Sequence, residues 1–296
     1  MEYVLQTEGL SKRYGSIRAV DNLVLQVPKG AVFGILGPNG SGKSTTLGMI
    51  LGITNPDKGQ YSWFGELQAH EARRRIGALL EQPNFYGYLS AFDNLRLVAA
   101  IKGKGREKIK ETLTLVGLGT RMHSAFKTYS TGMKQRLALA STLLNDPEVI
   151  VLDEPTNGMD PKGIIEIRDL IKSLGASGKT VILASHLLDE VEKVCTHVAV
   201  MKQGQLLETR ALGGQTETVY RYLVAASDSQ GLRALIDTTS DISLLEAAEN
   251  QLLISTTMQG EEVNQFFHQK GFTLSQLVPR KKTLEDQFLE ITGDHA

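Results

Sequence analysis

The chain has 296 residues, with 32 basic and 33 acidic side chains, a formal net charge of −1, 41% hydrophobic residues and 22% charged residues. That composition supports a packed core in one large domain or two unequal ones and excludes a disordered chain. It also excludes a global positive field, so an anion has to be held by a local site and no nucleic-acid partner is expected.

The opening residues Met1 to Leu10 include Glu2 and Glu8 and lack a basic region ahead of an apolar stretch, so no secretory signal is expected. No run approaches the ~20 apolar residues of a bilayer span, so the chain is expected to be soluble, with any membrane role coming through a partner. Residues 3–7 and 23–27 read as antiparallel edge strands. Residues 32–36, 149–152 and 181–184 are short, apolar on all sides and rich in β-branched residues. Strands read this way when helices cover both faces of a parallel sheet. Helical patterns at 43–51, 130–144 and 164–174 make the whole an α/β pattern. The middle, about 83–142, reads as a helical insert with polar turns near 102–105 and 117–120. The single cysteine, Cys195, cannot form an internal disulfide, fits a reducing compartment and reads as a small buried hydrophobe.

The character changes at Leu212-Gly213-Gly214. Beyond it come a strand at 219–224, a helix at 230–237, strands at 242–246 and 251–255 about a turn at Glu249-Asn250, a helix at 261–269 and a strand at 272–278. This βαββαβ order is the split βαβ, or ferredoxin-like, arrangement. A last helix at 283–291 opens on Thr283 with Asp286 as a capping pair. The expected domains are therefore 1–213, containing the insert, and a small α+β domain at 214–296.

The most specific segment is Gly37-Pro38-Asn39-Gly40-Ser41-Gly42-Lys43-Ser44-Thr45, which fits G-x-x-x-x-G-K-[ST] and stands between a buried strand and a helix. Glycines let consecutive backbone N–H groups turn toward phosphate oxygens, and the positive end of the helix adds to the attraction. In such a loop Lys43 neutralises the β- and γ-phosphates, and the Ser44 hydroxyl takes one position on Mg²⁺. The strand at 149–152 ends in Asp153-Glu154. Ligands of open α/β sheets bind at such carboxyl ends. Asp153 can orient Mg²⁺ through its water shell, and Glu154 can take a proton from an attacking water.

Tyr129-Ser130-Thr131-Gly132-Met133-Lys134-Gln135-Arg136, placed just before Asp153-Glu154, resembles the signature segment of ATP-binding-cassette (ABC) proteins, usually Leu-Ser-Gly-Gly-Gln. Ser130 and Gly132 agree with it, while Tyr129, Thr131, Met133 and Lys134 depart. Ser130 can still cap a helix start facing a γ-phosphate, and Gly132 still permits close backbone approach. Within the resemblance, which runs from Leu5 to about Arg210, Gln82 is similar to the glutamine linking Mg²⁺ and the attacking water to the insert. Asn157-Gly158-Met159-Asp160 resembles the loop that crosses to an opposing subunit, His186 the switch histidine on the γ-phosphate, and Tyr14 the aromatic on which adenine stacks.

The resemblance implies a P-loop NTPase cassette with a mixed core sheet, an antiparallel β subdomain and a helical insert. It implies an ATPase using ATP and Mg²⁺, paired head-to-tail with a second ATP-binding subunit, a homodimer being expected with a pair of non-identical chains left open, so that each ATP is sandwiched between two subunits. A separate integral membrane permease completes the transporter and holds the pair on the cytoplasmic face of the cell membrane. The signature form, the stretch from Glu154 to Pro161 and the ending Thr283-Leu284-Glu285-Asp286-Gln287-Phe288-Leu289 are similar to the motor subunits of drug, antibiotic-peptide and polysaccharide exporters, including the bacitracin-resistance type. Phe85, Tyr86, Tyr88, Leu89 and Phe92 read either as core of the insert or as a cleft for a short helix of the membrane partner. The domain at 214–296 is assigned a dimer-contact or regulatory role. The alternative, a soluble ABC ATPase acting on ribosomes or nucleic acid, would usually carry two cassettes or a long coiled-coil insert, whereas this chain has one phosphate loop.

Overall fold

The computed structural model describes residues 2–65, 69–80, 84–212, 219–248 and 251–280. Its first strand, β1 (Tyr3–Tyr14), runs well beyond the stretch that reads as a strand in sequence. It is the hub of an antiparallel sheet rather than an edge, pairing with β2 (Ile17–Leu23), β3 (Gln26–Pro28) and β5 (Lys58–Trp63). The stretch 23–27 is not one strand either, because β2 ends at Leu23 and β3 begins at Gln26. Thr7 bridges the break: its Oγ1 donates to Leu23 O at 3.0 Å and accepts from Leu25 N at 2.8 Å. One hydroxyl thus satisfies both backbone groups that the interrupted ladder leaves over.

The next strand, β4 (Val32–Leu36), lies inside a six-stranded sheet ordered β10-β9-β4-β8-β7-β6. The other members are β6 (Ile76–Leu79), β7 (Val149–Asp153), β8 (Thr180–Ser185), β9 (His197–Lys202) and β10 (Gln205–Ala211). All neighbours are parallel except β10, which runs antiparallel to β9, so the sheet is mixed. Every residue of β4, β7 and β8 is buried, which is why these strands show no polar face.

Helix α1 (Lys43–Ile50) fills the space between the two sheets. Its Leu47, Met49 and Ile50 share one core with Leu5, Val20 and Trp63 of the antiparallel sheet and with Phe33, Val151 and Ile182 of the mixed sheet. The Trp63 indole N–H donates to Ile50 O at 2.6 Å, meeting a carbonyl that the helix end leaves open. Losing an indole buried to this degree costs about 3–5 kcal/mol, so Trp63 pins the far end of α1. A single turn, α2 (Ala69–Ala72), precedes β6. Between β6 and β7 stand α3 (Ala91–Lys102), α4 (Ile109–Leu115) and α5 (Thr131–Leu143), which form the helical insert. Helix α6 (Pro161–Ala176) leads from β7 to β8, and α7 (Leu188–Val194) from β8 to β9.

The chain divides into two compact units, the division falling between Gly213 and Gly214. The second unit contains β11 (Tyr220–Ala226), α8 (Ser229–Asp237), β12 (Ile242–Ala248), β13 (Gln251–Thr256), α9 (Gly260–Gln269) and β14 (Leu274–Arg280). Its four strands are antiparallel in the order β12-β13-β11-β14, and its own core is built on Val224, Leu232, Ile254, Val263 and Phe267. A capping box between Gln259 and Glu262 starts α9. The expected helix at 283–291 and the turn at Glu249-Asn250 lie outside the described residues. Among the described residues no helix is long and apolar enough to cross a membrane.

Cys195 is buried beneath β4, where a Cβ on Gly34 would approach its sulfur to 3.0 Å. Burial pushes its thiol up to about 12, so the reactive thiolate is scarce at neutral pH. A disulfide reagent at neutral pH is expected to find no fast thiol in the native chain and one per chain in denaturant. Rapid native titration would show that the packing under β4 is looser than described.

Candidate functional site

The loop at 37–42 leaves the carboxyl end of β4 and enters α1. Its two ends admit only glycine. A Cβ on Gly37 would lie 2.3 Å from Met201 O and 2.5 Å from Ser41 Oγ. Gly42 stands at φ +102°, where a Cβ would meet Ala19 O at 2.3 Å. Ser41 closes the loop by donating its N–H to Pro38 O at 3.1 Å, and its carbonyl accepts from Gly204 N at 3.0 Å. Pro38, Asn39, Gly40 and Ser44 are exposed and Thr45 is half-buried, so the outer side of the loop faces solvent.

Lys43 is buried at the first position of α1. Its Nζ donates to Gly37 O at 2.8 Å and Pro38 O at 3.3 Å, and lies 3.7 Å from Glu154 Oε1. The other oxygen of Glu154 is 2.9 Å from His186 Nδ1. An ionised carboxylate only accepts, so Nδ1 carries the proton in this contact. Three residues distant in sequence therefore form one line, lysine to carboxylate to imidazole.

Strand order explains the convergence. β8 lies between β4 and β7 and runs parallel to both, so the three strands end on the same side. The segments that follow them carry Lys43, Asp153-Glu154 and His186, at the position where parallel sheets bind ligands. Asp153 is the buried last residue of β7, in register with Ala184. Glu154 adopts φ +46°, a left-handed conformation uncommon for a residue with a side chain. Two backbone bonds hold it there, Glu154 N to Ala184 O at 3.0 Å and Asn157 N to Glu154 O at 3.1 Å. Conformations of this kind cost about 1–3 kcal/mol and persist where the surroundings over-determine them, commonly at functional sites.

Ser44 and Asp153 offer hard oxygen donors of the kind Mg²⁺ takes. Among the described residues no cluster of three or more His, Cys, Asp or Glu side chains forms a metal cage. A cation held by so few protein oxygens completes its shell with water and phosphate, which is how Mg²⁺ is usually held. Gln82 lies outside the described residues.

The remaining expected residues form other groups. Ser130 is the N-cap of α5, its Oγ accepting from Met133 N at 3.3 Å. Gly132 packs on the 157–160 loop: a Cβ there would lie 3.3 Å from Met159 Cε, and one on Gly158 3.6 Å from Thr131 Cγ2. Asp160 is the N-cap residue of α6, with Pro161 following. Tyr14 ends β1 with half its surface exposed. The adjacent backbone is clamped by Asp57, which accepts from Arg13 N at 2.7 Å and from Lys12 Nζ at 2.8 Å. Of the insert aromatics, Phe85 packs edge-on against Phe126, whereas Tyr86 and Tyr88 are 56% and 73% exposed. The sequence did not mark Met201 of β9 or Gly204 of the β9–β10 turn, whose backbones lie against the loop. No motif marks them, because any residue supplies a carbonyl or an N–H.

A family model described as ABC transporter matches residues 20–157. The uncharacterized ABC transporter ATP-binding protein YhcH of Bacillus subtilis (strain 168) is 37% identical over 306 residues, covering 99% of this chain and 97% of its own length. The bacitracin transport ATP-binding protein BcrA of Bacillus licheniformis is 36% identical over 301 residues, covering 99% of this chain and 98% of its own. Among solved structures, the dimeric post-hydrolysis state of the ATP-binding cassette MJ0796 bound to ADP and Pi has a TM-score of 0.63 at 28% identity, over 71% of this chain and 99% of that one.

The tight seat of Gly37 generates a prediction. Gly37→Ala forces a methyl against backbone and is expected to lower stability by about 1–3 kcal/mol in denaturant unfolding. Gly87→Ala, whose Cβ would have its nearest neighbour at 3.6 Å, serves as the control and should be close to neutral. Equal unfolding midpoints for the two variants would show that the loop is not held as described.

Proposed function

We propose an export role for this chain, which belongs to the ABC transporter ATP-binding family and is an ATP-hydrolysing subunit of that class. The observation that carries the reading is the meeting of Lys43, Glu154 and His186 beside a phosphate loop open to solvent. Lys43 and the backbone N–H groups that the loop and the start of α1 leave open hold the triphosphate. Glu154 accepts the proton of the attacking water, and His186, bonded to Glu154, faces the γ-phosphate. Ser44 and Asp153, with Gln82, would hold Mg²⁺, which would supply neutralisation of phosphate charge when bound. Tyr14 stacks on the adenine.

The catalytic unit is a head-to-tail pair of two copies. Ser130 and Gly132 at the start of α5, with Asp160, complete the nucleotide site of the opposing copy. An exposed, serine-capped helix start supports this, since a helix N-terminus attracts a γ-phosphate. So does the dimeric state of MJ0796. ATP bridges the copies and closure excludes water, while loss of the γ-phosphate removes the bridge and lets the pair reopen. The pair works on the cytoplasmic face of the membrane through a separate permease that selects the cargo. The names of the full-length relatives favour transport over action on ribosomes or nucleic acid.

In this reading residues 1–213 are the ATP-binding domain, with its insert at about 83–142, and 214–296 an accessory domain that contacts the partner copy or regulates turnover. The antiparallel order β12-β13-β11-β14 supports a ferredoxin-like fold for the latter.

Lys43→Ala is expected to abolish ATP turnover in a phosphate-release assay, and wild-type turnover in that variant would reject the loop assignment. Glu154→Gln is expected to bind ATP, hydrolyse it slowly and accumulate closed pairs. Native sizing with ATP that shows only single chains of that variant at high concentration would overturn the composite site.

A further inference from the structure

The hydrolytic assignment leaves one ion pair beside the site unexplained. Arg168 of α6 meets Glu190 of α7 in a two-pronged contact, Nη2 to Oε1 at 2.5 Å and Nε to Oε2 at 3.4 Å. The pair is largely withdrawn from water, at 15% and 13% side-chain exposure. It borders a small recess lined also by Pro155, Thr156, Leu183 and Ser185. Pro155 follows Glu154 in the chain and Ser185 precedes His186, so the pair stands behind both residues of the reacting line.

Helix α7 needs such support. It has seven residues, and its N-cap position, Leu187, makes no side-chain capping bond. Helices this short are marginal alone, so their placement comes from tertiary contacts. His186 leads through Leu187 into α7; Leu187 N donates to Ser185 Oγ at 3.1 Å, Leu187 O accepts from Val191 N at 3.2 Å and Ser185 O accepts from Gly37 N at 3.3 Å, backbone restraints that leave the seating of α7 on α6 to side chains. On the α6 side the anchor is firm: Glu166 is ion-paired with Arg136 of α5, the helix that opens at Ser130. Helix α6 therefore ties the signature segment to the helix behind the histidine.

We propose that Arg168 and Glu190 are a positioning pair that holds His186 at Glu154 and so sets the rate of the hydrolytic step. The inference rests on the hydrolytic roles assigned above to Glu154 and His186. A shielded ion pair adds little net stability compared with apolar residues of similar size, because desolvation offsets the attraction, but its two bonds fix one geometry. A loss of geometry is felt in the rate more than in ATP binding, which depends on the phosphate loop.

The test measures steady-state ATPase, ATP affinity and thermal melting on the full chain, with wild type and Lys43→Ala as the upper and lower bounds. Arg168→Met is expected to lower kcat by about 10- to 100-fold, the range a displacement near 1 Å can cause, with ATP affinity retained. Arg168→Lys should be intermediate, since an ammonium cannot reproduce the two-pronged contact. The double variant Arg168→Met, Glu190→Leu removes the unpaired charge and should melt like wild type yet stay slow. The charge-reversed pair Arg168→Glu, Glu190→Arg should recover rate relative to either single change. Wild-type kcat in the double apolar variant would show that the pair only supports the fold and would overturn the inference. That result stands apart from failure of the hydrolytic reading, in which wild type itself would release no phosphate above Lys43→Ala.

Discussion

The site depends on a short helix that cannot move independently of two sheets. α1 has apolar neighbours from the antiparallel sheet on one side and the mixed sheet on the other, and Trp63 holds its last carbonyl. A protein interior is packed like a crystal, so a helix enclosed in this way has one position. The loop at 37–42 inherits that position at one end and takes the end of β4 at the other. Its glycines then have no latitude: Gly37 is wedged against Met201 and Ser41, and Gly42 against Ala19. The loop is held in one place because the core on both sides of it is filled.

A loop held in one place gives the charges their meaning. Lys43 is an ammonium at 6% side-chain exposure, which would be costly without acceptors. Gly37 O, Pro38 O and Glu154 supply them. In a partly desolvated setting such interactions are stronger than in water, and they cost no reorganisation when charge develops nearby. Glu154 is drawn into the group by a backbone conformation that the β7–β8 pairing imposes, and its second oxygen sets the orientation of His186. Lysine, carboxylate and imidazole are each placed by a different strand, so the line they form is a property of the strand order.

That dependence decides what could be read in the chain. The loop at 37–42 is legible because its geometry is local: its glycines and the lysine that follows must be adjacent in sequence. β4, β7 and β8 were legible because burial on both faces leaves unbroken apolar runs. Of β1 only the first residues, 3–7, were legible, since irregular register around Lys12 breaks its alternation further on and its role as hub is set by three partners elsewhere in the chain. β6 spans only four residues, too few to show a period. The left-handed turn at Glu154 has no glycine to announce it, because the strain is carried by neighbouring strands. Arg168 and Glu190 are 22 residues apart on helices whose packing no spacing rule predicts.

The departures in the signature segment follow the same logic. Tyr129, where the family usually has leucine, is buried in the insert and donates its hydroxyl to Arg121 O at 2.6 Å. Lys134 lies 5.5 Å from the centre of the Phe126 ring, so its ammonium is engaged by an aromatic face of the same insert. Thr131 faces Gly158, and Met159 of the 157–160 loop packs on Gly132. Each of these side chains is accounted for by contacts within its own chain. What a helix start needs in order to face a phosphate is a cap, close approach and free N–H groups, and Ser130, Gly132 and the first turn of α5 retain all of these. On the proposed reading the motif can therefore diverge at its packing positions while its electrostatics stay the same.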